Sequence, residues 1–179
     1  MTGAENQQER LIGFADWVVG FVDGEGCFSI GLVGQPDRAG RKGYKTGFQV
    51  SHDFVVVQGA SSVDCLHDLR EFFGAGAVYI NRRYDNHRED MYRYSVTRRQ
   101  DLLERIIPFF REHPLRSAKR RDFDKFALCV ELMAAGRHKT HAGLADIVEI
   151  MQTMNRKKPR HELIRILRDC TPEALDTGS

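Results

Sequence analysis

This chain of 179 residues has no CxxC pair, no run of the roughly 18 apolar residues that a membrane span requires, and no strong excess of one charge. Each absence closes off a class of protein. Cys27, Cys65, Cys129 and Cys170 are scattered, which speaks against a disulfide frame or a cysteine zinc site and for free thiols of an intracellular protein, cytoplasmic if bacterial. No targeting segment is evident, and no membrane partner is expected. Lys and Arg number 27 against 25 Asp and Glu, so bulk charge does not announce a nucleic-acid binder, and the distribution of charge has to carry that argument.

What is present is periodic. Residues 1–9 are polar and expected to be flexible. From Leu11 to Asp23 the apolar positions are dense enough for a helix buried on more than one side, ended by the glycines that follow. Two alternating segments come next. In the first, Phe28, Ile30 and Leu32 share a face opposite Ser29, Gly31 and Val33; in the second, Tyr44, Phe48 and Val50 oppose Arg41, Lys45 and Gln49. The link between them predicts a long basic hairpin loop containing Gln35. Residues 61–73 predict a serine-capped helix, stopped by GAG.

A second hairpin sets Val78 and Ile80 against Tyr79, Asn81 and Arg83, and then Tyr92, Tyr94 and Val96 against Arg93 and Ser95. Helices are predicted over 99–110, 117–135 and 143–154, ahead of a basic tail, 156–179, with room for a short helix. The fold class is therefore α+β: a four-stranded antiparallel sheet with helices on one face. The other face collects Arg, Lys, Gln and Asn, side chains that pair with base edges and phosphates in a major groove. A solvated polar face is the blander alternative.

The run WVVGFVDGEGCF, residues 17–28, poses the chemical question. Gly20 and Gly24 lie one helical turn apart, on a stripe where a second backbone can approach closely. Asp23 and Glu25 fall at the helix end whose free carbonyls are already partly negative, which disfavours them. Carboxylates beside free carbonyls form an oxygen-rich pocket suited to a hard divalent cation such as Mg²⁺, although an ordinary DG turn has the same spacing.

At these residues the chain resembles a known family. VVGFVDGEG, Val18–Gly26, is similar to the nine-residue signature of the LAGLIDADG homing endonucleases, with glycine third, acids sixth and eighth, and glycine ninth; Glu25 stands where aspartate is commoner. The αββαββα order, FQVSHD, GAGAV and PFFREHPLRSAKRRDFDKF extend the resemblance over roughly residues 10–155, as a single domain. It implies a site-specific double-strand DNA endonuclease using Mg²⁺ or Mn²⁺, with Ca²⁺ supporting binding without cleavage. It also implies that two motif helices meet through their glycines, here through Val18, Gly20, Phe21 and Gly24. With one motif copy in the chain, a homodimer on a pseudo-palindromic duplex is expected.

By the same resemblance Glu25 and the Gly24 carbonyl are the expected metal ligands, Asp23 supports the helix end or the partner chain, His52 or Gln49 lies near the reacting phosphate, and Arg116 or Lys119 supplies the nearby positive charge. Base reading is expected from Ser29, Gln35, Arg41, Lys45, Gln49, Tyr79, Asn81, Arg83 and Arg93. The same fold also serves non-cleaving binders, so an intron RNA maturase or a DNA-binding regulator is the alternative.

Overall fold

The computed structural model describes residues 3–35, 43–81, 90–155 and 161–170, with side chains from residue 13 onward. Helix α1, Gly3–Glu25, is longer at both ends than the apolar pattern suggested. Ala4, Glu5, Gln7, Gln8, Glu9 and Arg10 are all good helix formers, and propensity alone extends a helix that packing holds further along. Strand β1, Gly26–Gly34, follows without a loop.

Strand β2 is Phe48–Gly59, several residues later than the alternation around Tyr44 implied. The segment before it is a turn: the Gly47 amide donates to the Tyr44 carbonyl at 2.7 Å, and Gly47 has φ of +73°. That turn interrupts the extended backbone, and the strand begins only after it. A 3₁₀ turn, Ala60–Ser62, then leads into α2, Val63–Phe73, and the expected Ser62 cap makes no side-chain bond to the helix. The helix stops at Gly74, which takes the left-handed conformation.

Strands β3, Ala77–Asn81, and β4, Met91–Val96, complete a four-stranded antiparallel sheet of order β1-β2-β4-β3. Val78 faces Tyr94 and Tyr79 faces Arg93 across β3 and β4; Val56 faces Tyr94 and Val57 faces Arg93 across β2 and β4. Beyond the sheet come α3, Arg99–Asp101, a π-helical stretch, Leu102–Ile106, and α4, Ile107–Glu112, which together replace the single helix expected there. Then follow α5, Lys119–Ala134, α6, His141–Met151, and α7, His161–Asp169.

The described residues group into two compact units, one drawn from 1–29 and 52–124, the other from 30–51 and 125–179. The first has an aromatic core. Phe28 of β1 stacks on Phe54 of β2 at 4.9 Å and meets Phe110 of α4 and Phe123 of α5 edge-on, while Phe73 of α2 packs edge-on against Phe54. Each buried ring contributes about 1.5–3 kcal/mol through lost water contact, and each well-set pair about 0.5–1.5 kcal/mol more. Tyr94 is wholly buried and donates its hydroxyl to the Ala75 carbonyl at 2.9 Å. Burial, and then the carboxylate of Asp101, push its phenol well above the usual range, so it remains a neutral donor.

In the second unit Val130, Met133, Leu144, Ile147, Val148, Met151 and Leu167 are buried. Helix α6 is capped by Thr140, whose Oγ1 accepts from the Gly143 amide. Arg168 of α7 donates to both Asp146 and Glu149 of α6 at 2.9 Å, and Arg137 donates to Asp146 as well. This ionic clamp fixes α7 on α6, an arrangement that spacing in a basic tail does not reveal.

Candidate functional site

The end of α1 is the chemical focus of the first unit. Its last turn carries Val22, Asp23, Gly24 and Glu25, and the chain turns at once into β1 at Gly26. A Cβ on Gly26 would lie 2.8 Å from the Val22 carbonyl oxygen and 2.6 Å from a Val22 methyl carbon, so the sharp exit from the helix requires glycine. Glu25, the residue before Gly26, is exposed at the tip of the helix.

Asp23 is held by the segment ahead of α5. Its carboxylate accepts from the Arg116 amide at 3.0 Å, the Ser117 amide at 3.0 Å and the Ser117 hydroxyl at 2.5 Å. Partial burial pushes the Asp23 pKa up, but the Ser117 hydroxyl, the Arg116 and Ser117 amides and the charge of Lys119 together hold it below the usual carboxylate value. The unfavourable position of an acid at a helix C-terminus is thus offset by donors from elsewhere in the chain.

Lys119 completes the arrangement. Its ammonium donates to the Val22 carbonyl at 2.9 Å and to the Gly24 carbonyl at 3.1 Å. Burial lowers the Lys119 pKa, opposed by the charges of Asp23, Cys27, Glu25 and Asp122. A cation therefore already stands at the carbonyl-rich helix end. The oxygens at this end attract positive charge, and hard carboxylate and carbonyl donors suit Mg²⁺ or Ca²⁺, but an ion on the Gly24 carbonyl would share it with the Lys119 ammonium. Among the described residues no group of three or more His, Cys, Asp or Glu side chains is placed to hold a metal. An ion bound at this helix end would therefore draw most of its ligands from water or from a second molecule.

Replacing Asp23 with alanine is expected to lower stability by about 1 kcal/mol, the scale of a lost capping carboxylate. Chemical denaturation near neutral pH measures this. The sign with pH follows from the lowered pKa. Stability from Asp23 is present above the unfolded value of 3.8 and is lost as the pH falls below it through the folded value, so the difference between native and variant proteins should shrink in acid.

Along α1, Gly20 and Gly24 are exposed, as is Gly13 one stripe earlier, and a Cβ added at any of the three meets nothing within 4 Å. Phe21 is half-buried, stacked on Trp17 at 5.0 Å. Val18 departs from the expectation of an interface residue: it is wholly buried within the protomer, because it projects from the opposite face of the helix, with Ala15 and Val22.

The outward parity of the sheet carries polar groups. In the first unit Asp53, Tyr79, Asn81, Arg93, Ser95 and Thr97 line one shallow depression. Tyr79 is 58% exposed. In the second unit Gln35 donates to Gln49 at 3.3 Å. Ser29 of β1 is half-buried. Lys45 is exposed in the turn before β2 rather than on the strand, which corrects its expected place in the alternating row. His52 shares the parity of Val50 and Phe54 and so faces away from the side on which Gln49 and Asp53 lie. Arg116 is exposed beside Asp23, joined to it through its backbone amide. Arg41 and Arg83 lie outside the described residues.

The sequence reading missed Asp53, which binds Arg93 and accepts from the Ser95 hydroxyl at 2.7 Å. The signal available was an acid at an outward strand position, in line with Gln49.

The αββαββα order with an acid-tipped first helix defines a homing endonuclease fold. The crystal structure of a homing endonuclease, I-TnaI, matches it with a TM-score of 0.70 and 38% identity, over 87% of this chain and 95% of that one. The profile of the LAGLIDADG endonuclease family matches residues 18–130, and the chain belongs to that family. I-SmaMI, bound to uncleaved DNA target in the presence of calcium ions, is 29% identical with a TM-score of 0.71, over 88% of this chain and 50% of that one. A probable intron-encoded endonuclease 2 of Neurospora crassa is 29% identical over 146 residues, 80% of this chain and 28% of its own length. The chain spans only about a quarter to a third of the curated relatives it matches.

Proposed function

We propose that this protein is a site-specific, divalent-metal-dependent DNA endonuclease acting on a pseudo-palindromic duplex as a homodimer. The observation that carries the reading is the end of α1, where an exposed Glu25 sits beside a Gly24 carbonyl already drawn to the ammonium of Lys119. Support for DNA as substrate comes from family membership and from I-SmaMI, whose structures include one bound to cleaved DNA.

In this reading Glu25 and the Gly24 carbonyl hold Mg²⁺ or Mn²⁺. When bound, the ion supplies activation of water and charge stabilisation at the phosphodiester. The chain's own residues set the stage for that chemistry. Asp23, two residues before Glu25, ties the helix end to the Arg116–Ser117 segment. Lys119 holds positive charge at the same end, where an anionic phosphate is to be received. Gln49 and Arg116 are exposed polar candidates for contacts near the reacting phosphate. One acid-tipped helix serves one strand, so cutting two strands calls for two copies related by a two-fold axis.

The test is selection of binding sites from a random duplex library in Ca²⁺, followed by addition of Mg²⁺ to the enriched pool. The expected outcome is one pseudo-palindromic site, bound with steep salt dependence and cut on both strands only when Mg²⁺ is present. Enrichment without cleavage would replace this reading with that of a non-cleaving regulator, and preference for folded intron RNA with that of a maturase.

A further inference from the structure

We propose that Asp53 is a positioning residue for Arg93, and that the pair, braced by Ser95, forms a subsite reading guanine in the target duplex. This rests on the DNA-endonuclease reading given above. Three observations lead to it. First, the Asp53 carboxylate is doubly occupied: Oδ2 accepts from Arg93 Nη2, and Oδ1 accepts from the Ser95 hydroxyl at 2.7 Å. Both bonds join β2 to β4 on the outward side of the sheet.

Second, the strand register dictates how Arg93 reaches its partner. Arg93 faces Val57 and Ser95 faces Val55, so Asp53 lies beyond the Ser95 pair. The arginine must therefore run along the sheet, past Ser95, instead of standing out into solvent. A long flexible side chain held in one direction has already lost the rotamer freedom that base recognition would otherwise take from it.

Third, exposure is asymmetric. The Asp53 side chain is 17% exposed and that of Arg93 42%. The acid is the shielded member of the pair and the arginine the more exposed one. Arg93 also faces the strongly exposed Tyr79 across β3 and β4, and both line the same depression as Asn81 and Thr97. Arginine presents its donors as a planar fork that matches O6 and N7 of guanine, and a carboxylate bound to one nitrogen of the fork, Nη2, restricts the direction in which the rest can point. A bare carboxylate on this face would repel phosphate and accept from cytosine; engaged by two donors, it acts through the arginine instead.

The experiment is binding-site selection with the native protein, Asp53→Asn, Asp53→Ala, Ser95→Ala and Arg93→Ala, scored as base preference at each position of the enriched site, with melting temperature measured on each protein. Arg93→Ala is expected to reduce the preference for guanine at one position per half-site about tenfold, within the range of a lost bidentate contact. Asp53→Asn, which keeps the volume of the side chain, should broaden the same position and leave the others as they were. Ser95→Ala should broaden it less.

A purely structural ion pair would lower the melting temperature and leave every base preference intact, and that result overturns the proposal. So does relaxation of a position by Arg93→Ala that Asp53→Asn does not reproduce; in that case the endonuclease reading survives and the role of Asp53 does not. Failure of the native protein to enrich any duplex removes both.

Discussion

Glu25→Gln will bind the selected duplex in Ca²⁺ with no more than a few-fold change in affinity, and in Mg²⁺ will cut it at least about a thousandfold more slowly than the native protein. The magnitude follows from the several kcal/mol of transition-state stabilisation that a metal supplies, each ~1.4 kcal/mol being tenfold in rate. Glutamine preserves the length and most of the hydrogen bonding of glutamate but removes the charge that a hard cation needs. The substitution also leaves the fold nearly untouched, because Glu25 is exposed and is not the acid on which the Arg116–Ser117 segment hangs. Asp23 performs that structural task. Gel shift and single-turnover cleavage on the same DNA separate the two effects. Loss of binding together with cleavage would make Glu25 a docking residue.

Gly20→Leu will produce a protomer at least as stable as the native one that no longer dimerises and no longer makes double-strand breaks. Glycine inside a helix costs about 1 kcal/mol relative to alanine, and α1 carries Gly13, Gly20 and Gly24 at exposed positions where an added Cβ meets nothing in the protomer. Within one chain, then, nothing requires glycine there. A second helix packed against the stripe would require it, since backbones approach closely only where side chains are absent. A leucine at Gly20 gains helix propensity and blocks that approach. Sedimentation or light scattering reads the loss of dimer, and thermal unfolding of the dilute protein reads the intact fold. A Gly20→Leu protein that remains dimeric would move the interface elsewhere.

The sequence disclosed the fold where chemistry is periodic and local. Phe28 and Ile30 occupy the buried parity of β1 as their alternation implied, and Tyr79 and Arg93 share the outward side of the sheet as theirs did; their register became visible only in the structure. The sequence misplaced β2 because Tyr44 and Lys45 fall in step with Phe48, Gln49 and Val50 although they lie in a turn closed by Gly47. Val18 was misjudged because a nine-residue signature does not say which of its residues face inward; only the packing of α1 does. The anchoring of Asp23 and the pairing of Asp53 with Arg93 join residues 93 and 40 positions apart, and no local pattern records such partners. Asp23 and Glu25 were legible as a pair of acids, but their division of labour became visible only when the amides that claim Asp23 were in place.

The end of α1 is steadied by Arg116, Ser117 and Lys119, whereas the outward-facing residues of the sheet come from the stretch of chain between them. In the endonuclease reading proposed above, the residues that cut and those that read are held by different parts of the chain. Substitutions along β2, β3 and β4 can rewrite which sequence is recognised while the acid stays moored where it was. An endonuclease built this way can drift to a new address in a genome without first relearning how to break a strand.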